Sequence, residues 1–198
     1  EFYTNLNTLS LHDALPIFRA MLWLTILFNL FAWPVLSMVP VIGQERLQLD
    51  PQGVGLLTSV EGVGSLLGAL LLSAGAVRWG HGRVFLVSVL SFLALQPFMA
   101  WSPQVMLTAA ALLVLGVAQA GFSVMQSTLI YTAAPENQRA EAMGLLTVCI
   151  GASPLGFFGV GAIAERLGAP GATLVCAACG LLGIALTWKV CRACLRPA

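Results

Sequence analysis

The sequence predicts an all-α membrane protein whose chain crosses the bilayer six times, and three observations carry that prediction. Hydrophobic residues make up 59% of the 198 positions and charged residues 9%, with a mean hydropathy of +0.92. So few polar side chains cannot cover a water-soluble globule of this size, which makes lipid the solvent. The apolar residues also gather into six stretches, each near the length that about 30 Å of hydrocarbon demands of a helix. Lysine and arginine, finally, concentrate at alternate connections, the bias that orients a chain in a membrane.

Residues 1–17 are excluded from that count. Thr8–Ile17 is the translation of ACT CTT TCC CTA CAC GAC GCT CTT CCG ATC, part of a widely used short-read sequencing adapter, and all ten residues agree. Upstream, the adapter's GAG ATC TAC AC would give Glu-Ile-Tyr-Thr, one base from the Glu1-Phe2-Tyr3-Thr4 present. The expectation is a non-native segment over 1–17, a native portion over 18–198 and a reading frame cut on its 5′ side. A polar amphipathic arm is the alternative. Under the first reading Glu1, His12 and Asp13 carry no function.

The six spans are expected at Ala20–Gly43, Val54–Val77, Val84–Trp101, Val105–Ala133, Met143–Ala164 and Gly171–Lys189. Short polar connectors separate them: Gln44–Gly53, Arg78–Arg83, Ser102–Gln104, Pro135–Ala142 and Glu165–Pro170. Arg19, Arg78, Arg83, Arg139, Lys189, Arg192 and Arg196 fall on one side of the membrane, and only Arg46 and Arg166 on the other. The seven-residue side is expected to be cytoplasmic, with both native ends on it. Trp79 and Trp101 fit interfacial anchors.

An internal echo points to two three-helix repeats of inverted topology. Gly55-Leu56-Leu57-Thr58 with Gly62 recurs as Gly144-Leu145-Leu146-Thr147 with Gly151. Each copy is followed by Arg-x-Gly, at Arg78–Gly80 and Arg166–Gly168. The first copy enters from outside and the second from inside, as inverted repeats require. In a chain this rich in Gly and Leu, chance competes with that reading.

Glu61 is the one ionisable side chain placed well inside the hydrocarbon, seven residues from the outer start of its span. A carboxylate there must face the bundle interior or a wet cavity, which makes it a functional-site hypothesis. Gly64, Ser65 and Gly68 share its helical face, whereas Leu66, Leu67 and Leu70 do not, so that face packs on protein or lines a cavity. Its role is either proton coupling and cation recognition or a structural hydrogen bond between helices. Asn29, Gln96, Gln119 and Gln126 are the uncharged polar groups of the spans. Gln119 and Gln126, seven apart with Ser123 between, lie on one face; with Asn29 they line a substrate path or serve as interhelical glue. Pro34 and Pro97 each remove a backbone donor and predict kinks in the first and third spans. Gly64-x-x-x-Gly68 lets backbones approach, and Gly151, Pro154, Gly156, Gly159 and Gly161 make the fifth span small-sided and easy to interrupt.

Two Cys-x-x-Cys pairs, Cys176/Cys179 and Cys191/Cys194, suggest a zinc site on paper. On one continuous helix they stand about 20 Å apart, while a zinc ion needs its ligands within about 2.3 Å, so no metal is expected. Cys149, Cys176 and Cys179 read as small apolar filler, whereas Cys191 and Cys194 are candidates for reactivity or lipidation. No catalytic constellation is present: there is no His-Glu-x-x-His, no Gly-x-Ser-x-Gly, and a single lysine, Lys189, that no phosphate-binding loop precedes. Neither an enzyme, a cofactor nor a nucleic-acid partner is expected.

Several stretches resemble the C-terminal six-helix half of the major facilitator superfamily of secondary transporters, over about residues 20–190. Leu49-Asp50-Pro51-Gln52-Gly53-Val54-Gly55, leading into Gly62, Gly64 and Gly68, is similar to the start of that family's eighth helix. Arg78-Trp79-Gly80-His81-Gly82-Arg83 resembles its cytoplasmic signature, except that Val77 stands where the acidic residue is expected. Pro135–Gly144, with Arg139 at the usual arginine, resembles the loop between the tenth and eleventh helices of efflux members, and Ala164–Gly168 also fits. The resemblance implies half of a twelve-helix fold working by alternating access, with cytoplasmic gating loops at Arg78, Gly80, Gly82, Arg83 and Arg139. It further implies a proton-coupled exporter of an unidentified small molecule, in a cell membrane such as the bacterial inner membrane, partnered by an N-terminal half. The competing readings are a six-span channel or scaffold acting as a homo-oligomer and a membrane-embedded lipid-modifying enzyme.

Overall fold

The computed structural model describes residues 16–74, 80–134 and 136–195. Regular structure among them is wholly helical. Helix α1 runs over Pro16–Glu45, α2 over Pro51–Ser73, α3 over His81–Trp101 and α4 over Val105–Ala133. A short turn at Glu136–Gln138 precedes α5 (Arg139–Ile150), then α6 (Ser153–Leu186) and α7 (Trp188–Cys191). A final turn covers Arg192–Leu195.

Five continuous apolar stretches are long enough to cross a membrane, the last being the 48 residues Arg139–Leu186. It makes two crossings rather than one. Gly168 sits at φ 73°, ψ 167°, a conformation open to glycine and closed to an α-helix. The contacts show the reversal: a Cβ placed on Gly156 would lie 2.7 Å from the Asn29 carbonyl, and one on Gly183 would lie 2.9 Å from the Leu27 side chain. On a straight helix those glycines would be about 40 Å apart, yet they meet neighbouring residues of α1. The fifth and sixth spans are therefore a hairpin, and the expected loop over Glu165–Pro170 reduces to one glycine.

Other boundaries also shift. His81, Gly82 and Arg83, expected in a loop, form the first turn of α3, and Arg139–Ala142 form the first turn of α5. Helix reaches beyond the hydrocarbon in both places. Gly80, at φ 82°, makes the turn before α3, while Arg78 and Trp79 lie outside the described residues. The fifth span breaks at Gly151–Ala152 because Pro154 offers no N–H to the Ile150 carbonyl. In α1 the kink foreseen at Pro34 is a longer feature, a π turn over Phe28–Ala32 followed by a 3-10 segment over Trp33–Met38. Helix α3 continues through Pro97. Helix α2 opens where Asp50 Oδ1 accepts a 2.9 Å hydrogen bond from Gly53 N, with Pro51 in the first turn.

Lipid is as apolar as leucine, so close packing and hydrogen bonds rather than the hydrophobic effect hold these helices together. Helices α2 and α4 meet backbone to backbone. A Cβ on Gly64 would collide with the Leu113 carbonyl, and one on Gly116 with the Glu61 carbonyl. Deeper in the bundle, Phe28 of α1 stacks on Phe122 of α4 at 3.8 Å between centroids, with Phe85 and Phe92 of α3 at 5.3 and 5.0 Å from members of that pair. Between the end of α1 and the end of α3, Arg46 Nη2 donates to the Trp101 carbonyl at 3.1 Å, its guanidinium 5.7 Å from the Trp101 ring. Leu66, Leu70, Leu155 and Phe158 point outwards and are exposed, as lipid-facing residues are.

The echoed segments occupy similar surroundings. Leu57 and Leu146 are each 3% exposed. Gly55 and Gly144 each face open space. The hydroxyls of Thr58 and Thr147 each donate 2.9 Å hydrogen bonds to the carbonyl four residues back. Gly64→Val or Gly116→Val should destabilise the bundle by about 1–3 kcal/mol, the usual cost of overpacking. Gly55→Ala should be neutral or slightly stabilising, and reversible unfolding in mixed detergent measures both.

Candidate functional site

One network of interior polar groups joins α1, α4 and the start of α6. Thr25 and Asn29 stand one helical turn apart on the buried face of α1. Gln126 Nε2 of α4 donates to Thr25 Oγ1 at 2.9 Å, and Asn29 Nδ2 donates to the Thr25 carbonyl at 2.9 Å. Ser153 Oγ, at the start of α6, lies 2.7 Å from both Asn29 Oδ1 and the Ile150 carbonyl, and its single proton serves one at a time. The result is an uncharged network linking three elements. Asn29 and Gln126 were expected at such a position. Thr25 and Ser153 were not, although the i, i+4 spacing of Thr25 and Asn29 was a readable signal.

Glu61 sits in the seam between α2 and α4, half-buried. Its face carries Gly64 and Gly68, both buried, while Leu66 and Leu70 turn outwards, as the helical spacing predicted. Ser65 Oγ lies 3.1 Å from Glu61 Oε1 and 3.1 Å from the Gly116 carbonyl, so one hydroxyl proton is shared between a carboxylate and a backbone acceptor. Gln119, three residues beyond Gly116, is half-buried, and its Oε1 is buried without a hydrogen-bond partner among the described residues. Ser123, expected on the same face, is exposed.

The basic loops before α3 and α5 are only partly described. Gly82 takes up the C-terminal turn: a Cβ there would collide with the Cys194 carbonyl. Arg83 is exposed. Arg139 Nη1 lies 3.7 Å from Glu136 Oε1, and its Nε is buried without a partner among the described residues. A groove of about 400 Å³ opens between Arg19, Trp23 and Ile26 of α1, Cys149 of α5, and Thr187 and Val190 near the chain end. Trp23 Nε1 donates to Thr187 Oγ1 there at 2.8 Å. Neither Glu61 nor the buried polar network lines it.

Cys191 and Cys194 are buried, at variance with the expected reactivity. Burial pushes the Cys191 thiol above its usual value against a smaller opposing pull from the Thr187 hydroxyl. Burial and the neighbouring Cys191 push Cys194 up to about 12. The thiolate is the reactive form, so both groups are inert near neutral pH. They fill space under the C-terminal turn.

A helical bundle with apolar residues on its outside and a polar network within is the architecture of a multi-pass membrane protein. The family model described as Major Facilitator Superfamily matches residues 21–193, and the chain belongs to that superfamily of membrane transporters. Comparison with curated proteins and with solved structures returned no match.

If Gln126 and Thr25 hold α1 to α4, Gln126→Leu and Thr25→Val should be non-additive, with a coupling of roughly 0.5–1.5 kcal/mol in a double-mutant cycle of unfolding. N-ethylmaleimide at pH 7.5 should leave Cys191 and Cys194 unmodified in intact membranes and label both after denaturation, as peptide mass spectrometry would show. Raising the pH to 9 should leave both unlabelled, since burial holds each thiol above its usual value.

Proposed function

We propose that this chain is the C-terminal half of a proton-coupled exporter of small molecules that works by alternating access. The observation that carries the proposal is Glu61, a carboxyl group set in the glycine seam between two spans and sharing one serine proton with the Gly116 carbonyl. Taking up or losing a proton at Glu61 changes which acceptor Ser65 serves. It thereby changes a contact on which the approach of α2 and α4 depends. A proton is the one coupling ion that acts at such a place without a coordination shell. The buried network of Thr25, Asn29, Gln126 and Ser153 offers donors and acceptors but no charge, which suits a neutral or weakly polar solute in a low-dielectric path.

The similar surroundings of Leu57 and Leu146, of Gly55 and Gly144, and of Thr58 and Thr147 support two three-helix units of inverted topology. In this reading the described bundle is one wall of the path, residues 1–17 derive from translated adapter, and a further six-helix half supplies the opposite wall. In the same reading the basic ends face the cytoplasm, and the membrane is a cell membrane, the inner one in a bacterium. Arg78, Gly80, Gly82, Arg83 and Arg139 then serve at the cytoplasmic gate.

Two outcomes are expected. In the two-half carrier, Glu61→Gln should abolish substrate-driven proton flux, read with a pH-sensitive dye in proteoliposomes, while substrate binding persists; unchanged coupling would remove Glu61 from the mechanism. Reconstituted alone, the present chain should catalyse no net solute flux, and measurable flux would contradict the half-carrier reading.

A further inference from the structure

The break in α1 is held from outside by a residue to which no role has so far been given. Pro34 lacks an N–H, so where the π turn gives way to 3-10 bonding at Ala32–Trp33 the Leu30 carbonyl one turn back loses its α-helical donor. Gln96 of α3 reaches that point. It is 0% exposed, and its Nε2 lies 3.1 Å from the Ala32 carbonyl and 3.4 Å from the Phe31 carbonyl. Its Oε1 is buried and has no partner among the described residues. The amide is thus turned so that its donors are used and its acceptor is wasted. Flipping it would set an oxygen against two carbonyl oxygens. Only the α1 carbonyls account for the orientation.

We propose that Gln96 is a positioning residue that fixes where α1 bends and, through that bend, where the buried polar network forms. Asn29 and Thr25 lie on the same helix just before the break, and Asn29 belongs to the π turn itself. Unwinding that turn would rotate Asn29 away from Ser153 and carry Thr25 away from Gln126. Gln96 touches none of these four side chains in the described hydrogen bonding, so it acts through the backbone of α1. The neighbouring contact is on α6, where Gly156 admits the Asn29 and Leu30 carbonyls; a Cβ there would lie 2.7 Å from each. Glycine can receive the Asn29 and Leu30 carbonyls but cannot hold them, whereas the amide of Gln96 donates to those of Phe31 and Ala32 just beyond.

The inference stands whatever the protein carries, and hydrogen exchange tests it without any transport assay. Amide exchange of the whole chain in lipid nanodiscs would be followed for residues 28–39, always against wild type at the same pH. Gln96→Leu removes both donors and should raise exchange there at least tenfold, with the α2–α4 seam unchanged. Gln96→Glu keeps the shape and supplies a donor only when protonated. It should match wild type at pH 5 and exchange at least tenfold faster than wild type at pH 9. Exchange within twofold of wild type in Gln96→Leu would overturn the proposal. So would a Gln96→Glu variant whose ratio to wild type does not change between the two pH values, and that comparison decides alone if Gln96→Leu fails to fold.

Discussion

Inside a bilayer no water is available to a stray backbone group, so a helix that departs from regular bonding must find its partners in neighbouring helices. Helix α1 departs twice within eleven residues, from π to 3-10 geometry, across Pro34. The bundle is arranged around that break. Gln96 donates to two of its carbonyls, Gly156 lies against two more, and the Phe28 ring at its start anchors the aromatic stack against α4 and α3. The irregular backbone occurs where protein surrounds it, and the same irregularity carries Asn29 inwards. A straight α1 would present its polar residues differently and would need no glutamine on α3.

A second constraint is the approach of backbones. With no hydrophobic gain in bringing one apolar helix to another in lipid, contact area must be made by removing side chains. Gly64, Gly68 and Gly116 do this between α2 and α4, and Gly180 and Gly183 do it where α6 meets α3 and α1. The seam at Gly64 and Gly116 is so close that it leaves only the helix edge for Glu61. That placement explains why a carboxylate is held there by Ser65 rather than by a basic residue. The surroundings of Glu61 thus follow from the packing of three glycines.

The number of spans was legible because hydrocarbon thickness imposes a length on every apolar stretch. The helix ends were not, and for a physical reason. Polarity in a membrane protein reports where the bilayer stops, whereas the helix of His81-Gly82-Arg83 or of Arg139-Ala140-Glu141 continues into the headgroup region. The turn at Gly168 looked like a six-residue loop on the same misreading. Pro34 announced a kink but not the π turn that precedes it, since π bonding arises from tertiary contacts rather than from local propensity. Amides stand out in an apolar span, so Asn29 and Gln126 of the buried network were legible, while Gln119, seven residues from Gln126, stays outside it. Hydroxyls such as Thr25 and Ser153 commonly bond their own helix four residues back, and their long-range partners leave no trace in the sequence.

The central claim is a six-crossing bundle folded back at Gly168 and built around α1. Single cysteines at Gln48, Arg83, Arg166 and Lys189, introduced into a background without other cysteines and probed with a membrane-impermeant maleimide from each side of sealed vesicles, test it most directly. Gln48 and Arg166 should label from one side, and Arg83 and Lys189 from the other. Labelling of Lys189 from the same side as Gln48 would mean that Arg139–Leu186 crosses only once, and would contradict the account.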